Sequence, residues 1–324
     1  MTDHLFGLGA RPSSKDSRDF TLDRFVVAAP PPKYSPPHAW TVLDQGQTPK
    51  CVGFSGAGNS QVRTEIDVAD WAVFDGPDLY AYCKANDGQP GQEGTDIRTA
   101  LGVLLRTGAK VDAALAGPLK PGQREKITAY AGLNSLADVK LAIATYGSAW
   151  VASDWPESWF DPRWMPGSSC FLPLPDAPAG GHAYMYIGYD DTLACPDGTH
   201  GALLVQNSWG TDWASGGRVW LPYSYFNPGN WEAWRTIPAP LEADPMAFSP
   251  AAPTATCDVT AGGSAYAFCS TSAPHVGPNP YPAAPKIPLL GYQSRADGVK
   301  GAWVVLPQGV AWVGLNHVTN VVAA

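Results

Sequence analysis

"DQGQTPKCVGFSG", residues 44 to 56, sets a glutamine, a proline and a cysteine ahead of a run of small residues, and the role assigned to Cys51 decides the rest. From Cys51 onward, Phe54, Gly58, Val62 and Ile66 recur at helical intervals, and Pro49 just upstream suits a helix entrance. The glycines and alanine between them let neighbouring chain approach closely, so this helix is expected to be buried. A thiol attacks only as thiolate, and the positive end of a helix dipole favours that form. Away from such a setting a free cysteine is most often a small buried hydrophobe, the reading given to Cys83, Cys170 and Cys195.

Working outward, residues 1–38 are polar and then proline-rich ("VVAAPPPKYSPPHAW"), which rules out a continuous helix and predicts an extended N-terminal arm laid over the surface. "EGTDIRTALGVLLRTGAK" places Ile97, Leu101, Leu104 and Leu105 on one helix face with Gly108 as a stop, and "SLADVKLAIATYG" predicts a further helix. "SAWVASDW", "HAYMYIGYDD", "GALLVQNSWG" and "GRVWLPYSYF" then read as strands, with Asp190 and Asp191 a solvated turn. Helices first and strands later define an α+β class with a cleft between the two halves. The predicted divisions are an arm at 1–38, a main domain at 39–240, a Pro/Ala linker at 241–256 and a small all-β module at 257–324.

The 324 residues are 45% hydrophobic with thirteen tryptophans, ample for a packed core. A net charge of −8 makes duplex nucleic acid a poor partner. No stretch has the apolar length of a membrane helix, and the N-terminal residues lack the basic start and apolar block of a secretory signal, so a soluble protein with no membrane partner is expected and its compartment is left open. Six cysteines without C-x-x-C or zinc-type spacing predict no structural metal, and no cofactor is required.

A nucleophilic Cys51 needs a base. His182 in "PAGGHAYMYIGYDD", with flexible glycines before it and a strand after it, is suited to hold an imidazole at a cleft edge. Asn207 in "LLVQNSWGTDW" can orient that ring through its amide oxygen, with Trp209 keeping water from the bond, and Gln45 can aim its amide at a developing oxyanion beside the Cys51 N–H.

These segments together resemble the papain family of cysteine peptidases, of a bacterial or phage type. The likeness rests on Gln45 and Cys51 at the family's spacing, "GFS" after the cysteine, "GGHAYMYIGYDD" and "NSWGTDWASGGRVWL", in the order Cys, His, Asn, over about residues 40 to 235. It implies a two-lobed fold with the groove between a helical and a sheet lobe, and a cysteine endopeptidase working through a thioester on peptide or protein substrates. It implies catalytic roles for Cys51, His182, Asn207 and Gln45, with the cysteine and histidine resting as thiolate and imidazolium. Substrate contacts fall to Gly94, Gly181, Ala183 and Trp209. A side-chain pocket lined by Ala183, Gly181, Ala149 and Asp96 would admit a bulky apolar residue.

Three positions depart from the family pattern: Val52 stands where a tryptophan follows the nucleophile, Thr48 replaces a disulfide cysteine, and Glu93-Gly94 replaces a glycine pair. The 44 residues before Gln45 do not hold an inhibitory prodomain of the family's size. The C-terminal module resembles the bacterial src-homology-3-like barrel, for which a cell-wall or peptide ligand is expected, with Trp303 and Trp312 in either its binding face or its core. The competing functions are a catalytically inactive papain-like scaffold used for binding, and a cell-wall peptide hydrolase or transpeptidase.

Overall fold

A computed structural model of the chain describes residues 6–16, 30–37, 40–68, 72–114, 119–165, 169–227 and 231–238, and, as backbone, the strands between 255 and 323. The expected linker lies outside the described residues up to 254, as do residues 17–29 of the arm and Cys269. The chain divides into a first unit that runs to Pro238 and a second that holds the strands from Ala255 onward.

The helices of the first unit begin and end on local chemistry. Helix α1 (Cys51–Val68) starts two residues after Pro49 and covers the stretch whose spacing predicts it. Helix α2 (Gly76–Lys84), too short to show a period, is fixed by Asp75, whose side chain accepts from the Asp78 N–H, and by a proline in the first turn. Asp96 caps α3 (Ile97–Arg106) through the Thr99 N–H. Ser135 caps α4 (Leu136–Tyr146), which stops at Gly147 in the left-handed region, φ 81°.

Helix α1 is buried almost all round, so its polar side chains must be satisfied internally. Ser55, Ser60 and Thr64 return their hydroxyl protons to carbonyls of the preceding turn. Asn59 joins the helix to the sheet, donating to Ser148 Oγ at 3.0 Å and accepting from Thr236 Oγ1 at 2.7 Å. The Trp150 indole N–H donates to Ser55 Oγ at 2.8 Å, and its ring lies so near Gly56 that a Cβ there would come within 2.8 Å of it.

Among the described residues of this unit the largest sheet has nine strands. The strands that matter for the site are Ala149–Pro156, Pro178–Ala194 and His200–Gln206, adjacent and antiparallel. Their register sets Ser153 opposite His182 and Ala152 opposite Ala183. On the far side of Ala149–Pro156 runs Trp231–Pro238, with Glu232 opposite Ala152. The strand through His182 continues to Ala194, so Asp190 and Asp191 are not a solvated turn. Asp190 is buried and pairs with Lys33 at 2.7 Å, while Asp191 accepts from Lys140 and Tyr223, both at 2.7 Å. The Lys33–Tyr34 segment of the arm adds to this strand antiparallel.

Among the described residues of the second unit six antiparallel strands form one sheet, with Trp303 and Trp312 at paired positions of adjacent strands. Among the described residues no helix is long and apolar enough to cross a membrane.

The closeness of α1 to Trp150 gives a stability test. Gly56→Val forces the helix off the ring and should cost about 1–3 kcal/mol, as overpacking of cores does, seen as a lowered urea midpoint with little change in slope.

Candidate active site

Cys51 opens α1 at the floor of a groove whose opposite wall is the Pro178–Ala194 strand. Its thiol lies against the backbone of Ala183, the residue after His182, and of Val52, and also against Gly9 and Ala10 of the arm. His182 is held from two sides. Its Nε2–H donates to Asn207 Oδ1 at 2.8 Å, and the Ser208 N–H donates to that same oxygen at 2.8 Å, which fixes which atom of the amide faces the ring. With the proton on Nε2, the neutral imidazole presents its Nδ1 lone pair, and that atom is buried and makes no hydrogen bond. The Trp209 ring stacks on the imidazole, centroids 4.6 Å apart, and covers the bond to Asn207.

Gln45 is buried beside these groups. Its Oε1 accepts from Ser208 Oγ at 2.6 Å, and its Nε2 donates to the Thr48 carbonyl and to the carbonyl of Gly7, each at 2.9 Å. Thr48, where the family pattern has a cysteine, ties this turn with its own hydroxyl to the Gln45 carbonyl at 2.6 Å.

The arm residues 6–11 fill the groove. Phe6 stacks on Trp209 at 4.8 Å, and the Gly7 carbonyl also accepts from the Trp209 indole N–H at 3.3 Å. The Gly9 and Ala10 N–H groups donate to the Gly181 carbonyl at 3.0 and 2.9 Å. On the opposite wall Thr95 N–H donates to Gly9 O at 3.0 Å and Arg11 N–H donates to Thr95 O at 2.8 Å, making a parallel bridge between Ala10 and Thr95. A side chain at Gly7 or Gly9 would collide with the backbone of residues 47–49, and one at Gly94 with Gly9 O. Glycine at these positions is what lets the arm lie this deep.

Around the arm lie Cys51, His182, Asn207 and Gln45, with Gly94, Gly181, Ala183 and Trp209 in contact with the arm or the thiol. Two expectations need correction. Ala149 sits opposite Tyr186 and not beside Ala183, so the small residue flanking Ala183 is Ala152, and beyond it Glu232. Burial in this closed groove opposes the expected thiolate–imidazolium pair. Cys51 and His182 are fully buried, and burial pushes the thiol up to about 12 against the four backbone groups that lower it, and pushes the imidazole down to about 4 against its bond to Asn207.

Trp155 was missed: its ring meets His182 edge-on at 4.8 Å and Trp209 at 5.2 Å, at the centre of an aromatic cluster with Trp159 and Trp213. The close spacing in "SDWPESWF" is its only sequence signal. Also missed was "FGLGAR", whose alternating glycines are the signature of chain that must approach other backbone closely. Cys83, Cys170 and Cys195 are free and buried, and burial pushes each thiol up. Among the described residues no three His, Cys, Asp or Glu side chains gather as metal ligands.

This architecture, a helix-borne cysteine facing a sheet-borne histidine and asparagine, is the fold of the papain-like cysteine proteases. Xylellain, a cysteine protease from Xylella fastidiosa, superposes with a TM-score of 0.56 at 21% identity over 73% of this chain and 98% of its own. ProCathepsin B S9 from Trypanosoma congolense gives 0.56 at 17% over 72% and 86%. The cysteine protease and lectin-like domains of Cwp84, a surface layer associated protein of Clostridium difficile, give 0.55 at 17% over 98% and 90%. At such identities the likeness shows the fold. No family model matches the chain, and no curated protein matches it in sequence.

Two tests follow from the burial. Gly9→Leu should displace the arm and restore solvent to Cys51, raising its iodoacetamide alkylation rate at pH 7 by about a hundredfold or more, because the thiolate fraction rises as the pKa falls back. An unchanged rate would contradict the contribution of the arm to the burial. Because the folded His182 pKa is lowered, the unfolded chain binds the extra proton between about 4 and 6.5; the stability linked to this group is fully present above 6.5 and is lost as pH falls toward 4. Wild type should therefore lose on the order of 2–3 kcal/mol more than His182→Gln between pH 7 and 4.5, measured by urea unfolding.

Proposed function

We propose that this chain is a cysteine endopeptidase and that the form described here is closed by its own arm. The observation that carries the reading is the Gly7 carbonyl on Gln45 Nε2, a peptide carbonyl bound within the same groove as Cys51 and His182. The Gly7 carbonyl oxygen stands in for a substrate carbonyl.

With the arm displaced, water returns and the neutral pair is no longer enforced by burial. His182 Nδ1 takes the Cys51 proton, and the sulfur attacks the scissile carbonyl carbon while the C=O electron pair moves onto oxygen. Gln45 Nε2–H and the Cys51 N–H stabilise that oxyanion. As the tetrahedral adduct collapses, the C–N bond breaks, His182 gives its proton to the leaving amine, and a thioester remains. Water, deprotonated by His182, then attacks the thioester, releasing the carboxylic acid and returning the proton to the thiol. Asn207 keeps the ring in one tautomer throughout, and Trp209 and Trp155 hold the bond dry.

The match with protease and lectin-like domains in Cwp84 supports a ligand-binding role for the second unit beside the peptidase, compatible with the cell-wall or peptide ligand expected from its sequence. The inactive-scaffold reading is disfavoured by the bond from His182 to Asn207.

Hydrolysis of fluorogenic peptides by Gly9→Leu and by Gly9→Leu combined with Cys51→Ala tests the proposal. We expect turnover in the first and a loss of about a thousandfold or more in the second. Peptide turnover that survives Cys51→Ala would end the assignment.

A further inference from the structure

Beyond Ala10 the arm makes side-chain contacts of a different kind. The Arg11 guanidinium enters a pocket formed by the 84–94 loop, donating through NH2 to Asp87 Oδ2 at 2.6 Å and through NH1 to Gln92 Oε1 at 3.0 Å and to Gln89 Oε1. The Asp87 side chain is fully buried. It is held without the arm's help: Lys84 Nζ donates to Oδ2 at 2.6 Å and the Gln89 N–H to Oδ1 at 3.0 Å. Lys84 also bonds to the carbonyls of Gln89 and Gly94, so the loop is pinned from inside. The acceptors that face Arg11 are thus built into the loop and persist when the arm leaves. Asp87 itself stays ionised: although burial opposes the charge, the hydrogen bonds from Lys84 and Gln89 win and hold the carboxyl below its ordinary value. An open depression of about 350 Å3 lies beside the guanidinium, bordered by Asn86, Asp96 and Arg98. Two further carboxylates meet the next stretch of arm, Glu232 accepting from Ser13 N–H and Oγ and Asp96 from Ser13 Oγ.

The backbone bonds of residues 9–11 use Gly181 O and the Thr95 amide and carbonyl, groups that any extended peptide can meet. What distinguishes this point of the groove is the chemistry beside it. Resting on the peptidase reading of the same groove, we infer that Asp87, Gln89 and Gln92 form a subsite for the arginine or lysine side chain of a peptide substrate, which Arg11 occupies in the closed form. The substrate class is therefore basic peptides. A planar guanidinium matches three converging acceptors better than an ammonium does, so arginine is preferred over lysine.

The test is a fluorogenic peptide set in which Arg, Lys, norleucine and Glu are scanned through four positions on either side of the scissile bond, assayed on the full chain carrying Gly9→Leu. At one position kcat/KM should fall in the order Arg, Lys, norleucine, Glu, with Arg at least about tenfold above norleucine. Asp87→Asn should bring that ratio close to one; because the ratio is taken within each variant, general losses cancel. If Asp87→Asn fails to fold by circular dichroism, Gln89→Met with Gln92→Met reads the same ratio. Equal rates for Arg and norleucine at every position, or a ratio indifferent to these variants, would overturn the subsite. Fluorescence anisotropy of labelled peptides on the Cys51→Ala, Gly9→Leu chain gives the ratio without turnover. Tighter, Asp87-dependent Arg binding with no hydrolysis would retain the subsite while ending the peptidase reading, and equal binding would overturn the subsite itself.

Discussion

Four backbone hydrogen bonds from three consecutive arm residues govern the state of this site. Gly9 and Ala10 spend their N–H groups on Gly181, while Gly9 O and Arg11 N–H close on Thr95, and between these walls the arm covers Cys51. The sulfur and the imidazole are both fully buried, and burial disfavours the charged form of each. Asn207 still bonds His182, Gln45 Nε2 holds the Gly7 carbonyl, and α1 begins at the thiol.

That division explains why the arm contacts the groove mainly through glycine and backbone. A side chain at position 7 or 9 would hold the arm away from residues 47–49 and let water reach the thiol. Its side-chain contacts lie toward the ends: Phe6 lies on Trp209, Arg11 in the Asp87 pocket and Ser13 against Glu232. The parallel sense of the Ala10–Thr95 bridge fixes the direction in which the arm runs through the groove.

Much of this was legible from sequence because the site residues carry local signals. Cys51 is marked by the helix pattern after it and the proline before it, and His182 by glycines followed by an apolar strand. Asn207 stands at a strand end, and Gln45 in the turn ahead of the cysteine. What failed depends on contacts between residues far apart in the chain. Gly9 and Ala10, some forty residues away, lie against the thiol, and its burial opposes the charge state inferred from the helix end. The pocket wall was misassigned by three residues because strand register, which sets Ala152 and not Ala149 opposite Ala183, is fixed by pairing between strands. Asp190 and Asp191 looked solvated until Lys33 and Lys140 were brought to them from other elements. Helix α2 rests on one capping aspartate and a proline, and shows no period to read.

The central claim is that the arm's covering of the groove, and no defect in the residues themselves, keeps the pair uncharged. The direct measurement is the titration of the His182 ring by NMR on histidine-labelled protein, assigned with His182→Gln, in wild type and in Gly9→Leu. The account predicts a ring neutral down to about pH 4 in wild type, and in Gly9→Leu a ring that is protonated at neutral pH and loses its proton only above it, as expected beside a thiolate. The same low pKa in both proteins, with the arm shown to have left the groove, would contradict it.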